Sequence, residues 1–149
     1  MKLSVATPLA IVVEVNDVAH LRAEDETGAF GILPGHADFL TALSVSVASW
    51  RDNMRYEHHI ALRGGVLEVR CGEIRIATRE AVADDDLSRL ETEVLARFRR
   101  RTEEEAKARL DAQRLYLAAI RQICRFLKPE RGSGPPAASL VPPLDGFGP

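Results

Sequence analysis

The hydrophobic period changes once along this chain, at Asp84-Asp85-Asp86, and that change decides what the chain can fold into. Upstream, apolar residues alternate with polar ones in short runs. Leu3, Val5 and Thr7 make the first, then Ile11, Val13 and Val15, then Ala19, Leu21 and Ala23. Tyr56, His58, Ile60 and Leu62 come next, then Leu67, Val69 and Cys71, and last Ile74, Ile76 and Thr78. A half-buried antiparallel strand buries every second residue, which gives this period. Turn residues separate the runs: Pro8, Asn16-Asp17, Gly28, Gly35, Asp52-Asn53, Gly64-Gly65 and Gly72. Gly64-Gly65 reads as a tight hairpin turn, because glycine tolerates positive φ. Residues 1–83 therefore predict an antiparallel β-sandwich, expected to fold without the helical residues downstream.

Downstream, the acidic triplet suits a helix start, where carboxylates accept free N–H groups and oppose the dipole. Leu87, Leu90, Val94 and Phe98 then fall on one helical stripe. After the polar stretch Arg99–Glu105, Thr102 with Glu105 fits a capping box, so a second helix can begin there. Its seam is Ala106, Leu110, Gln113, Leu117, Ile120, Cys124 and Leu127, a heptad-like stripe. Residues 84–128 predict a two-helix hairpin. One continuous helix is the alternative, since no Gly or Pro interrupts them. Residues 129–149 hold six of the eight prolines and four glycines, and predict a disordered tail. The fold class is β + α: sandwich, hairpin, tail.

Charge is unevenly placed. The net is −2, yet residues 97–128 carry 10 basic and 4 acidic side chains, net +6. A basic helical segment on an acidic chain points to an acidic partner surface, not to nucleic acid. No apolar run reaches the ~20 residues of a membrane span, and no apolar block follows Met1-Lys2, so a cytoplasmic location is expected. Cys71 and Cys124 lack metal-type spacing and read as reduced, packed thiols.

The stretch Gly28-Ala29-Phe30-Gly31-Ile32-Leu33-Pro34-Gly35-His36-Ala37-Asp38-Phe39-Leu40-Thr41-Ala42-Leu43 resembles the epsilon-subunit pattern of F-type ATP synthases. In that pattern Gly-Ile-Leu-Pro-x-His-Ala precedes Leu-Thr-Ala-Leu. Ile60-Ala61-Leu62-Arg63-Gly64-Gly65-Val66-Leu67-Glu68-Val69 is similar to the family's strand–Gly-Gly–strand segment. Asp38-Phe39, Thr78–Val82 and Asp85–Leu90 look most like epsilon subunits of the alternate, sodium-type bacterial ATPases. Asp38 stands where the family usually has Pro.

The resemblance implies a non-catalytic stalk subunit. The sandwich would grip the gamma subunit and stand on the ring of c-subunits, coupling ring rotation to the catalytic head. The basic second helix would engage acidic parts of the alpha and beta catalytic subunits and restrain ATP hydrolysis, through Arg114, Arg121 and Arg125. The chain would sit peripherally on the cytoplasmic face of the bacterial inner membrane. Phe30, Ile32, Leu33, Pro34 and His36 are the candidate ring or gamma contacts. Two readings stay open for the apolar three, core or docking patch, and His36 reads first as a loop histidine bonded to backbone, with subunit contact as the other reading. No cofactor or metal is implied beyond a regulatory ATP. Its family motif is matched only by Asp86 and Arg89, which read as well as a helix cap and a solvated arginine. No phosphate loop, Gly-x-Ser-x-Gly or His-Glu-x-x-His occurs, which suits a chain without catalytic residues. An ATP sensor and an unrelated coiled-coil adaptor are the rival readings.

Overall fold

The computed structural model describes residues 1–127. The expected tail, 129–149, lies outside the described residues.

Eight strands form in order: β1 (Lys2–Ala6), β2 (Ile11–Val15), β3 (Val18–Asp25), β4 (Gly28–Ile32), β5 (Phe39–Asp52), β6 (Glu57–Arg70), β7 (Glu73–Ala77) and β8 (Ala81–Ala83). Their order in the sheet is β2-β1-β7-β6-β5-β3-β4, with β8 also paired to β6. Pairing is antiparallel except β1 with β7, which run parallel, Leu3 beside Ile74 and Val5 beside Ile76. Sequence alternation cannot foresee that exception, since both directions bury alternate residues.

The β5–β6 hairpin is the spine, 14 residues a side, in unbroken register from Phe39↔Val69 to Arg51↔Glu57. β7 and β8 both lie along the same edge of β6. The sheet folds on itself as a sandwich around Leu3, Val5, Leu21, Ile32, Leu62, Leu67, Ile74 and Ile76, all buried. In β3 the buried phase is Val18, Leu21 and Ala23, and Ala19 is not in it, because an irregularity between Val18 and His20 shifts the register.

Gly64-Gly65 is not a turn. Both lie inside β6, at φ +67° and +122°. A Cβ on Gly65 would sit 2.2 Å from the Ala77 carbonyl oxygen, so glycine is demanded by close backbone approach. The actual β6–β7 turn is Cys71-Gly72, where Cys71 has left φ-negative space for +50°. Cys71 and Cys124 are both free and exposed, contrary to the expectation of packed thiols.

The helical region begins on cue. Asp86 caps α1 (Leu87–Arg89), its carboxylate accepting from the Arg89 N–H at 3.2 Å. A π-helical turn, Leu90–Val94, comes next, and then α2 runs as one helix from Leu95 to Leu127. The two-helix hairpin is thus replaced by the alternative of an unbroken helix. The extra residue of the π turn brings Val94 and Leu95 both inward. With Leu90 and Phe98 they form a second apolar cluster on Ala61, against half-buried Val45, Val47 and Val82. These helical turns therefore complete the packing on the outer side of β5 and β6.

The chain divides into two compact units, Met1–Lys107 and Ala108–Pro149. In the second, the described residues 108–127 are helical and exposed. No helix among the described residues is long and apolar enough to cross a membrane.

Candidate functional site

Pro34 and Gly35 dictate the shape of the loop that carries the family motif. Pro34 presets negative φ, Gly35 sits at φ +83°, and the His36 N–H donates to the Leu33 carbonyl at 3.1 Å. This is a type II turn, which needs glycine at its third position. The turn is braced on both sides. The His36 ring lies edge-on to Phe39 at 5.7 Å, and Phe39 lies edge-on to Phe30 at 5.6 Å. The Asp38 carboxylate accepts from the Cys71 N–H at 3.2 Å, tying the loop to the β6–β7 turn.

The motif's apolar residues separate by burial. Ile32 is fully buried in the sandwich core, and Phe30 is half-buried against it. Leu33 is 58% exposed, and Pro34 and His36 are exposed beside it. His36 Nδ1 lies 2.7 Å from the Ala37 carbonyl, which can only accept, so Nδ1 carries the hydrogen and Nε2 is left to solvent. Leu40, 68% exposed, and Val66, 46% exposed, add apolar surface on β5 and β6. Sequence reasoning missed these two. Their signal was phase: Leu40 alternates with core-packed Phe39, and Val66 with buried Leu67.

A charged cluster fastens the start of α2. The Arg63 side chain is only 10% exposed. Its Nη1 donates to Glu105 at 2.7 Å, and Arg79 donates to the other Glu105 oxygen at 2.8 Å. Arg63 Nε lies 3.4 Å from Glu80, without a well-formed hydrogen bond, and Arg101 also pairs with Glu80. Glu105, expected to cap a second helix at Thr102, instead bridges two arginines, and the polar stretch around it stays helical.

Asp86 and Arg89 are brought together, but with local partners. Asp86 caps the helix, while Arg89 pairs with Asp84 at 3.0 Å and lies 3.6 Å from Glu93. Arg114, Arg121 and Arg125 are exposed on α2, with Arg114 within 4.0 Å of Asp111. Around them Leu115, Leu117, Ile123 and Phe126 are all more than half exposed.

The described residues include no group of histidine, cysteine and carboxylate side chains placed to hold a metal ion. Asp25 is held below the usual carboxylate range, mainly by the Thr27 hydroxyl and then by the Thr41 hydroxyl.

Comparison with known proteins agrees with this architecture. Residues 1–84 match the family described as ATP synthase, Delta/Epsilon chain, beta-sandwich domain. The chain is 39% identical to ATP synthase epsilon chain 2 of Paraburkholderia xenovorans, covering 89% of this chain and 96% of that one. It is also 39% identical to ATP synthase epsilon chain 2 of Cereibacter sphaeroides, covering 95% and 96%. In fold it is similar to a chain of the Tetrahymena thermophila mitochondrial ATP synthase central stalk and c-ring, with TM-score 0.52, 15% identity, and 79% and 94% of the two chains covered. A chain of the Euglena gracilis mitochondrial ATP synthase is similar at TM-score 0.53 and 22% identity, covering 71% and 62%. A sandwich ending at Ala83, a helix capped at Asp86 and 39% identity to epsilon chains over nearly the full length converge: the chain belongs to the epsilon-subunit family of F-type ATP synthases.

Proposed function

We propose that this chain acts as a non-catalytic part of the central stalk, transmitting torque through its sandwich and restraining hydrolysis through its exposed helix. The observation that carries the first part is the braced type II turn, which holds Leu33 and His36 outward over a close-packed core. Close-packed cores deform little, which suits a contact that must pass force. The turn and the neighbouring Leu40 face the ring of c-subunits, and the sandwich also contacts gamma. The complex then places the chain peripherally, on the cytoplasmic face of the bacterial membrane. The numeral in both relatives' names fits an additional ATPase of the alternate type.

For the helix, the support is an apolar stripe without cover over residues 108–127, flanked by Arg114, Arg121 and Arg125. Such a stripe fits an acidic groove on the alpha and beta catalytic subunits. Exposed ion pairs contribute only about 0–1 kcal/mol each, so several arginines must act together.

The test uses the assembled complex. Leu33→Asp should reduce recovery of the chain with the c-ring while leaving its melting temperature unchanged. Ending the chain at Lys107 should raise ATP hydrolysis without loss of assembly. Ring recovery unaffected by Leu33→Asp would refute the turn as contact. Hydrolysis unchanged at low salt, with the shortened chain present, would refute the restraint.

A further inference from the structure

β2 and β4 are the two ends of the sheet path, and β2 pairs only with β1 among the described residues. Its outer row of backbone groups is therefore open. Native edges are commonly blunted by lysine, proline or a bulge on the edge itself. β2 reads Ile11-Val12-Val13-Glu14-Val15, with one charge and with Ile11 61% and Val12 37% exposed; a bulge sets Val12 opposite the step from Val5 to Ala6, and Val13–Val15 keep regular register with β1. β-branched residues on an open edge favour addition of another strand.

Beyond that edge lies a cleft of about 750 Å³, between β2 and the end of β8. Its lining holds five carboxylates, Glu14, Asp17, Asp52, Asp84 and Asp85, and no lysine or arginine. From the rim Lys2 reaches Glu14 at 3.5 Å and Arg89 reaches Asp84 at 3.0 Å, while the Asp85 side chain is 93% exposed. On its floor, His58 stacks on Trp50 at 5.3 Å and lies 3.4 Å from Asp52 and 3.9 Å from Asp85.

We propose that this cleft is a docking site for an extended, lysine- or arginine-bearing segment of a partner protein, which adds a strand to β2. The inference goes beyond the ring and gamma contacts above and needs neither. The open backbone demands an extended occupant; the carboxylates demand a basic one. The chain's own basic stretch is helical where described, so it has no backbone groups to offer. A second copy pairing edge to edge would bring two acidic rims together, which costs energy.

Trp50 is the chain's only tryptophan and sits in the cleft, so it reports occupancy directly. The full chain is titrated with acetyl-Lys-Val-Lys-Val-Lys-Val-amide, following Trp50 emission and backbone amide shifts. The expected result is a saturable response, with the largest shifts in β2, weakening with salt. The Glu-Val counterpart should give none, and the same lysine peptide with N-methylated backbone should bind far more weakly. Asp17→Asn with Asp85→Asn, both exposed positions, should raise the half-saturating concentration about threefold, in keeping with weak exposed ion pairs. Equal binding of the glutamate peptide, undiminished binding of the N-methylated peptide, shifts centred on β4, or no saturable response would each overturn the proposal. So would sedimentation showing a dimer that Val12→Lys abolishes.

Discussion

Two stretches of the helical region carry the same kind of amphipathic pattern and meet opposite fates. Leu90, Val94, Leu95 and Phe98 are buried on β5 and β6, all 7% exposed or less. Leu110, Leu117, Ile120 and Leu127 have the same spacing logic, yet are exposed by 54%, 52%, 38% and 74%. An apolar stripe states that a helix needs a partner; it does not say whether that partner is in the same chain. What distinguishes the first stretch is polar reinforcement, since Glu105 bridges Arg63 and Arg79 just where burial ends.

The sharpest way to break this contrast is truncation. A chain ending at Asp86 loses all four buried residues, each contributing about 1.5–3 kcal/mol. That approaches the ~5–15 kcal/mol stability of a whole domain, so cooperative melting should be lost or severely weakened. A chain ending at Lys107 should melt cooperatively, near the full chain. A well-folded shorter fragment would show that the sandwich stands alone and that the helical cluster merely rests on it.

Single side chains should repeat the contrast on a smaller scale. Phe98→Ala should cost about 3–5 kcal/mol in denaturant unfolding. Ile120→Ala, on the same helix, should change stability by less than about 0.5 kcal/mol. Similar costs at both positions would mean that the later stretch has a partner within the chain.

Next in size is Glu105→Gln. It leaves nearly buried Arg63 with only the poorly aligned Glu80, and should cost about 1–2 kcal/mol, less than a fully buried pair because Glu105 is 42% exposed. Asp111→Asn, which removes a 4.0 Å pair between exposed side chains, should be silent. Salt should weaken the first effect only modestly, since Arg63 is shielded. A silent Glu105→Gln would reduce the charged cluster to a by-product of packing.

Much of this was legible in the chain, and the misses have physical causes. Alternation located β1, β2, β3, β6 and β7 because each buries one face, though it gave no run over β4, β5 or β8, and Asp84-Asp85-Asp86 announced the helix because its cap is a local hydrogen bond. Gly64-Gly65 was misread because a glycine pair signals positive φ, whether for a turn or for a close backbone approach. Only the non-local Ala77 carbonyl distinguishes them. Thr102–Glu105 was misread because Glu105 answers to Arg63, 42 residues away, rather than to its own backbone. In the candidate site, the Pro-Gly turn was plain, but which apolar residues face outward was not. Ile32 and Leu33 are neighbours in the motif, yet one is fully buried and the other mostly exposed, because the strand ends between them.

The smallest expected effect tests whether the packed unit is electrostatically self-contained. Asp25 accepts from the Thr27 hydroxyl at 2.6 Å, the Thr41 hydroxyl at 2.8 Å and the Thr27 N–H at 2.8 Å. Hydrogen bonds to the charged form favour it, so its pKa lies below the ordinary range, with the Thr27 hydroxyl the leading cause. A carboxylate whose folded pKa is depressed contributes stability that is present above its unfolded value, about 3.9, and is lost as pH falls through the folded one. Acid therefore weakens this contribution from about the ordinary aspartate value downward. Thr27→Val should raise the Asp25 pKa toward that range, and Thr41→Val should do so by less, both read from side-chain carboxyl shifts in an NMR titration. Each variant should lose less stability on acidification than the parent, with the loss complete at a higher pH. Every donor lies within residues 27–41, so a chain ending at Lys107 should titrate at Asp25 as the full chain does. A changed titration in the shorter chain would mean that residues beyond Lys107 reach this end of the sandwich, and the division between packed and uncovered helix would have to be redrawn.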